Sequence, residues 1–301
     1  MTQPFLSLSD RGKNGALRWI AGTFLILFFW QIIGGFLALP FLFWAGYLTT
    51  GDVREAFLAM TDLKRGDAFW NYIGVNVTFL CVWLGLWLTV RFIHKRALLT
   101  LVTPAPKINW ARLAQGFGAW FVLVAIFQIL EFVIYPARAQ FTFDAARWLF
   151  FLPFILILTP MQTGAEELLF RGYWLQGIGR LTQNRIALVL VSGILFGLPH
   201  MLNPEVLNNS DSALLLFLNY AFIGAAFAFY TLKDNRLELA LGAHTANNLF
   251  AALFVNYADS PLTTPAFFTN STLDAMFGLV TLIISAIAFY LIVFRARFAS
   301  S

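Results

Sequence analysis

Two adjacent carboxylates, Glu166 and Glu167, lie inside a run of apolar residues long enough to cross a membrane. An ionisable side chain in hydrocarbon costs at least about 2.5–3.5 kcal/mol on insertion scales, so it usually has a partner and a function. On a helix, Glu167 and Arg171 share a face and can form an ion pair. Taken alone, that pair could simply be a neutralised structural contact. Glu166 points about 100° away from Glu167, which leaves its carboxylate free to face a reactant.

Three further polar side chains lie inside apolar segments: His200, His244 and Asn248. Counted from the nearest basic residues at 1.5 Å per helical residue, Glu166 lies about 20 Å deep, His200 about 22 Å, His244 about 12 Å and Asn248 about 18 Å. Burying each group alone in lipid is costly, whereas a shared wet cavity satisfies all of them. We therefore expect three different helices to direct these side chains into one cavity.

These residue types fit the hydrolysis of an amide bond without a covalent intermediate. Glu166 and a histidine can together hold and deprotonate a water molecule; we expect His200 in this role, although alone it could be a core histidine. His244 and Asn248 are one helical turn apart, and both can donate hydrogen bonds, as an oxyanion hole requires. Asn247 is a weaker candidate for the same role.

The segment that carries His200 has further features. Phe196 precedes His200 by one turn and is expected to pack beside its ring. Gly193 and Gly197 form a face of small residues, which predicts a close approach to the glutamate-bearing segment or to the segment of His244.

Two polar residues fall outside this set. Glu131, near one end of an apolar segment, is expected to be interfacial or bonded to a neighbouring helix. His94 lies in a basic loop and is expected to be solvated.

The composition is that of a polytopic membrane protein. Of 301 residues, 59% are hydrophobic and only 12% are charged, whereas soluble domains average about 25% charged residues. The apolar runs have helical length, and transmembrane β-barrels would show short alternating segments instead. The net charge of +5 does not indicate nucleic acid binding, because Lys and Arg in membrane proteins mark cytoplasmic loops. The single cysteine, Cys81, permits neither an intrachain disulfide nor a CxxC metal site.

Eight apolar segments are long enough to span a membrane, at about 20 residues each. They are approximately 17–48, 68–92, 111–135, 148–178, 185–202, 213–232, 237–256 and 275–294. The first is over-long and contains Pro40, so it should tilt, kink or turn back near the surface. We predict an all-α membrane protein with about eight transmembrane helices. Two regions are expected: 1–110 with helices 1–2 and a basic loop, and 111–301 with helices 3–8.

The basic residues predict that both termini lie in the cytoplasm. In that orientation most Lys and Arg residues, including Arg297 near the C-terminus, fall in cytoplasmic segments. The outer loops hold only Arg54, Lys64, Arg65, Arg138 and Arg147. This asymmetry follows the positive-inside rule. We therefore expect a multi-pass protein of the cell membrane, which in a bacterium is the inner membrane.

The motifs resemble those of a known family. Glu-Glu-x-x-x-Arg at 166–171, Phe-x-x-x-His at 196–200 and His-x-x-x-Asn at 244–248, each on a separate hydrophobic helix, are similar to the motifs of the CPBP family. This family contains the CAAX prenyl endopeptidases of the Ras-and-a-factor-converting type and their bacterial relatives, and is also called the Abi family. The resemblance covers about residues 145–255.

The resemblance implies an intramembrane glutamic endopeptidase that does not depend on a metal. It assigns water activation and oxyanion stabilisation to two pairs of residues, Glu166 with His200 and His244 with Asn248. Supporting roles go to Glu167, Arg171 and Phe196. The implied partners are the lipid bilayer and a membrane-associated peptide or protein substrate, prenylated or cut near its C-terminus, with no cofactor and no nucleic acid.

Two other interpretations stay open. Glu166, His200 and His244 could form a His₂Glu ligand set for catalytic zinc, although the sequence lacks the HExxH motif. Intramembrane carboxylates and histidines also form proton relays. A non-enzymatic transporter or bacteriocin-immunity scaffold is therefore the second alternative, and the lack of an internal repeat or of paired half-helices weakens its transporter form.

Overall fold

A computed structural model describes residues 4–271 and 273–295 of the chain. The helices are α1 Ala16–Thr50, α2 Val53–Ala59, α3 Ala68–Ile93, α4 Trp110–Ile134, α5 Ala145–Ile178, α6 Arg185–His200, α7 Pro204–Leu207, α8 Ala213–Asp234, α9 Glu238–Leu253 and α10 Ala275–Arg295. Four of them contain π-helical turns, at Phe28–Gly34, Thr89–Ile93, Leu168–Trp174 and Leu291–Arg295. The strands are β1 Ala139–Phe141, β2 Val255–Tyr257 and β3 Phe268–Asn270.

The predicted all-α polytopic architecture is confirmed. Among the described residues, six helices are long and apolar enough to cross a membrane: α1, α3, α4, α5, α8 with the turn before it, and α10. Their outer faces carry large apolar side chains, and Leu17, Phe24 and Phe36 are 71–80% exposed. Apolar faces of this extent do not stay in water, so the chain is a multi-pass membrane protein whose outer surface meets lipid.

The other two predicted spans, 185–202 and 237–256, are shorter than expected. Their helices, α6 and α9, have 16 residues each. At 1.5 Å per residue, each is about 24 Å long, against about 30 Å for a hydrocarbon core. The turn 201–203 ends α6, and β2 begins two residues after α9.

Ion pairs between loops and helix ends identify the two ends of the molecule. The pairs at one end are Arg180–Asp10 and Arg112–Asp234, and the pairs at the other end are Lys64–Asp259 and Arg138–Asp274. We call the first the N-terminal end and the second the distal end. The loops at the N-terminal end are those predicted to be cytoplasmic. Eight helices, including α6 and α9, therefore connect the two ends in the part of the chain that is described. Which end faces the cytoplasm stays a prediction, and Arg297 lies outside the described residues.

The over-long first segment is one continuous helix. Helix α1 has 35 residues and does not turn back, although Pro40 lies inside it. It ends where Gly51 adopts a left-handed conformation with φ of 68°, which glycine enters without the steric cost of a Cβ atom.

Helices α4 and α9 contact each other backbone to backbone. A Cβ atom at Gly242 would lie 2.1 Å from the carbonyl oxygen of Leu113, and one at Gly116 would lie 2.3 Å from that of Leu239. Only glycine fits such a contact at both positions. This contact fixes the depth and rotation of α9, on which His244 lies.

The glycine face of α6 packs against α8, which was not among its predicted partners. A Cβ atom at Gly193 would lie 2.5 Å from the carbonyl oxygen of Ala221, which belongs to α8. The prediction that this face would pack against the segment of Glu166 or of His244 was wrong. The physical reason is that Gly224 on α8 also lacks a side chain, so the backbones of α6 and α8 approach each other closely at Gly193 and Gly224.

His94 is buried rather than solvated, which corrects the expectation from its basic loop. Its Nδ1–H donates to the carbonyl of Lys13 at 2.8 Å, and its Nε2 lies 3.0 Å from the Tyr173 hydroxyl. The ring of Trp19 lies 4.4 Å away, centroid to centroid. Burial lowers the pKa of His94 to about 4, and the nearby Arg96 lowers it as well. The N-terminal segment is thereby held on the bundle.

A small sheet at the distal end was not predicted. Its strand order is β1-β3-β2, with β1 antiparallel and β2 parallel to β3. The Glu131 carboxylate accepts from Gln128 on its own helix at 2.9 Å and from Asn270 on β3 at 3.4 Å. Glu131 is thus bonded to a neighbouring element, which is a strand rather than a helix.

Candidate active site

The glutamates lie where helix α5 changes its winding. The helix is α-helical up to Glu167 and π-helical over Leu168–Trp174. Single π turns inside α-helices are frequent at functional sites. Helix α3 supports this region, because Trp83 Nε1–H donates to the carbonyl of Met161 at 2.8 Å. Both glutamates are buried, Glu167 completely.

Glu167 is the centre of a buried ionic network. Its Oε1 accepts from Arg171 Nη1 at 2.8 Å and from His244 Nδ1 at 2.8 Å. The Arg171 guanidinium also donates to the carbonyl of Gly224 at 3.2 Å and lies 4.1 Å from the Phe196 ring centroid. The ion pair that the spacing predicts is present, and it connects α5 to α6, α8 and α9.

Glu166 lies on the other side of the same histidine. Its Oε2 is 3.4 Å from His244 Nε2, so His244 bridges the two adjacent glutamates. Its Oε1 accepts from Gln162 Nε2 at 3.4 Å. Gln162 was not among the predicted site residues, although it lies one helical turn before Glu166, and that spacing was the available signal.

His200 is held by its own helix and by α8. Its Nδ1–H donates to the carbonyl of Phe196 at 2.8 Å. A carbonyl only accepts, so Nδ1 carries the proton and Nε2 keeps a lone pair when the ring is neutral. The ring stacks on that of Tyr220 with centroids 4.1 Å apart and an angle of 25°. The Phe196 ring lies beside it at 4.7 Å, as the sequence predicts.

A carboxylate outside the predicted set holds Tyr220. The Tyr220 hydroxyl donates to Glu205, and Asn203 Nδ2 donates to the same carboxylate at 2.9 Å. Burial raises the pKa of Glu205, and the hydrogen bond from Tyr220 lowers it. No motif marks Glu205 or Tyr220 in the sequence, because their relation to His200 arises only when α7 and α8 pack together.

Asn248 is oriented by its neighbour. Asn247 Nδ2 donates to Asn248 Oδ1 at 3.2 Å, and Trp120 Nε1–H donates to Asn247 Oδ1 at 3.2 Å. Among the described residues, no group accepts a hydrogen bond from Asn248 Nδ2, which leaves that amide free to donate elsewhere. Asn247 therefore orients the side chain of Asn248.

The four candidate catalytic side chains line one cavity. It has a volume of about 320 Å³, and its lining includes Glu166, His200, His244 and Asn248. Helices α5, α6 and α9 supply these residues, as the depth argument predicts. Aromatic and aliphatic side chains from α1, α3 and α8 complete the wall, among them Trp30, Tyr72, Val75, Phe79 and Ile223.

The alternative zinc site is not assembled. In the described ranges, no group of three or more His, Cys, Asp or Glu residues is arranged to hold a metal ion. Both ring nitrogens of His244 face carboxylates, and Nδ1 of His200 faces a carbonyl.

Comparisons with known proteins agree with the motifs. Residues 145–250 match a family model described as type II CAAX prenyl endopeptidase, Rce1-like. The chain is 40% identical over 250 residues to the uncharacterized protein YyaK of Bacillus subtilis (strain 168), in an alignment that covers 80% of each chain. No solved structure matches.

Proposed function

This chain belongs to the Rce1-like family of type II CAAX prenyl endopeptidases, and we propose that it is a glutamate-dependent protease of the cell membrane. The family implies an intramembrane protease that acts on membrane-associated substrates. The proposal adds the catalytic type and the residues that carry it. One observation supports it most: four polar side chains from three helices line a single buried cavity.

Water activation is assigned to Glu166 and His200. A water molecule has two O–H groups, and these two residues offer two acceptors, the Glu166 carboxylate and the Nε2 lone pair of His200. The hydrogen bond from His200 Nδ1 to Phe196 supports this tautomer. With both protons bound, a water lone pair is directed at the substrate carbonyl, as general base catalysis requires.

Oxyanion stabilisation is assigned to His244 and Asn248. In the proposal, His244 carries protons on both nitrogens, and its Nδ1–H donates to Glu167. During the reaction its Nε2–H leaves the contact with Glu166 and donates to the developing oxyanion. The group of two carboxylates with Arg171 and a charged His244 is then electrically neutral, which lowers the cost of burying it. The free amide of Asn248 supplies the second donor.

The reaction balances without a co-reactant other than water. The water oxygen bonds to the carbonyl carbon, and one water proton moves to Glu166. The tetrahedral intermediate collapses, the C–N bond breaks, and Glu166 gives its proton to the leaving amine. The products are a carboxylic acid and an amine, and Glu166 is again ionised.

The proposal is tested in liposomes that contain the purified full chain. The probe is a quenched fluorescent peptide with a farnesylated Cys-aliphatic-aliphatic-X terminus, and labelling of new termini in cells covers other substrates. Glu166→Gln should reduce turnover about 10²–10⁴-fold, the usual contribution of a general base, and His200→Ala should do so to a similar extent.

Glu131→Gln is the matched control, because Glu131 is a membrane carboxylate that does not contact Glu166, His200, His244 or Asn248. It should keep wild-type turnover. Full turnover in both Glu166→Gln and His200→Ala would refute the assignment and favour a different active site.

A further inference from the structure

The carboxylate of Glu166 is contacted on two sides by different helices. Its Oε2 lies 3.4 Å from Nε2 of His244, which belongs to α9. Its Oε1 accepts from Nε2 of Gln162, which belongs to α5 and lies four residues earlier. Side chains four residues apart meet on the same face of a helix. The first contact therefore depends on how α5 and α9 pack, whereas the second is built into one regular stretch of α5.

Gln162 is a buried amide of which only one half is used. It lines the cavity and is 8% exposed. Among the described residues, its Nε2 donates to Glu166 and its carbonyl Oε1 accepts no hydrogen bond. An ionised carboxylate only accepts, so the NH₂ group is the half that must face Glu166. The carbonyl is then left without a partner.

The neighbouring hydroxyl groups on α5 are engaged elsewhere. The Thr159 hydroxyl lies 2.8 Å from that of Tyr72. The Thr163 hydroxyl lies 2.9 Å from that of Thr245 and donates to the carbonyl of Thr159 at 3.1 Å. A buried polar group without a partner costs free energy, and an apolar side chain of the same size would avoid that cost. Packing therefore does not explain a glutamine at position 162.

The amide of Gln162 has a use in the proposed mechanism. When Nε2–H of His244 leaves Glu166 and donates to the oxyanion, the hydrogen bond from Gln162 still holds the carboxylate. It occupies Oε1 and leaves Oε2 free to take the proton from water. Without this bond the carboxylate could rotate about its terminal torsion, which has no narrow minimum.

We propose that Gln162 is a positioning residue, whose side-chain amide holds Glu166 so that Oε2 receives the proton from water. This rests on the proposed function of Glu166 as the general base. The hydrogen bond serves the base rather than the bound peptide, so its loss should lower kcat and leave KM nearly unchanged.

Gln162→Met tests this role in the same liposome assay. Methionine has a similar volume but no amide donor. We expect kcat to fall about 10–100-fold, because small errors in placement are costly in catalysis. The unfolding temperature in detergent should change little, since a hydrogen bond and an unpaired carbonyl are lost together. Wild-type kcat would overturn the proposal, and Gln162→Leu gives the same readout if the methionine variant does not fold.

The matched control is Gln176→Met, the same change further along α5. Gln176 is completely buried and is not among the described residues that line the cavity. Both halves of its amide are bonded, because Oε1 accepts from Arg96 at 2.7 Å and Nε2 donates to the carbonyl of Thr100 at 2.8 Å. Gln176→Met should lower the unfolding temperature and keep wild-type kcat. Equal losses of kcat in Gln162→Met and Gln176→Met would overturn the proposal.

A double-mutant cycle shows whether Gln162 acts through Glu166. In a Glu166→Gln background, Gln162→Met should cause no further loss of the residual kcat. A further loss of about 10–100-fold would overturn the proposal, because Gln162 would then act independently of the base. Wild-type turnover in Glu166→Gln alone would refute the proposed function itself. An inactive Glu166→Gln beside a fully active Gln162→Met would remove only the role of Gln162.

Discussion

The two adjacent glutamates, Glu166 and Glu167, have different surroundings. Glu167 is completely buried and shares one oxygen between Arg171 and His244. Glu166 lines the cavity and touches the same histidine at a longer distance of 3.4 Å. The Glu167 carboxylate accepts hydrogen bonds from both Arg171 and His244, so a reactant cannot readily replace them. The longer contact between Glu166 and His244 is easier for a reactant to replace. In the proposed mechanism, Glu167 is therefore the anchor and Glu166 the reactive group.

Tyr220 is expected to position His200. Its ring stacks on the imidazole, and Glu205 holds its hydroxyl. Tyr220→Leu should free the ring and reduce turnover about tenfold, because small errors in placement are costly in catalysis. Tyr220→Phe keeps the stack and should lose less. The direct measurement is ¹⁵N NMR of labelled histidine, which resolves ring tautomers in a chain with only three histidines.

The matched control is Tyr230→Phe, which also removes a buried hydrogen bond, the one to the carbonyl of Ala286. In the wild type and in this control, His200 should show a single Nδ1–H tautomer. In Tyr220→Leu it should show a mixture. An unchanged His200 tautomer in Tyr220→Leu would mean that Tyr220 only fills space.

The residue types and spacings were sufficient to predict which side chains share the cavity, but not which of them contact each other. The depth count put His244 about 12 Å deep and Glu166 about 20 Å deep, whereas the two side chains are in contact. The count underestimated the depth of His244 because it started at Arg236, and the chain beyond Arg236 is already inside the protein. Leu237 and Glu238 are completely buried, and the Leu237 N–H donates to the carbonyl of Val102.

Among the secondary-structure elements, α9 is the one whose placement matters most. Gly242→Ala would put a methyl group 2.1 Å from a backbone oxygen of α4. Overpacking of this kind costs about 1–3 kcal/mol, and His244 would move with its helix. We expect a lower unfolding temperature in detergent and a strong loss of turnover.

Gly118→Ala is the control for this change, because nothing lies within 4 Å of the added Cβ atom. It should leave turnover intact and stabilise its helix by up to about 1 kcal/mol through propensity alone. Equal losses in Gly242→Ala and Gly118→Ala would show that the close contact between α4 and α9 does not position the site.

The helices were predictable from the sequence wherever an apolar segment was long. All eight segments are helices, and the glycine face of α6 was found, although its partner was not. The π turn after Glu167 and the three-residue strands leave no periodic trace, because both depend on how loops and neighbouring helices pack. The proposed division of the chain at residue 110 stays a prediction.

For the whole molecule, the N-terminal segment closes one end of the bundle through His94. The pKa of this histidine is lowered from 6.5 to about 4 by burial, so the neutral ring is the form that the fold holds. As pH falls from 6.5 towards 4, the unfolded chain binds a proton that the folded chain does not, and stability is lost. Above pH 6.5 this contribution is complete.

Thermal unfolding in detergent across this pH range measures the effect. The unfolding temperature of the wild type should fall between pH 6.5 and pH 4. His94→Gln should be less stable at neutral pH and should show a weaker fall, since its amide does not titrate. An identical pH dependence in the two proteins would assign the acid sensitivity to other groups.

The shortness of α6 has a consequence for the surrounding lipid. A helix of about 24 Å beside others of full length creates a local hydrophobic mismatch, which a bilayer relieves by thinning at a cost of fractions of a kcal/mol per ångström. The thinned patch would border α6, whose exposed face carries Ile186, Leu190 and Leu198 and which ends at His200. Headgroups and bulk water would be drawn inward there, so the rate of hydrolysis should depend on acyl-chain length.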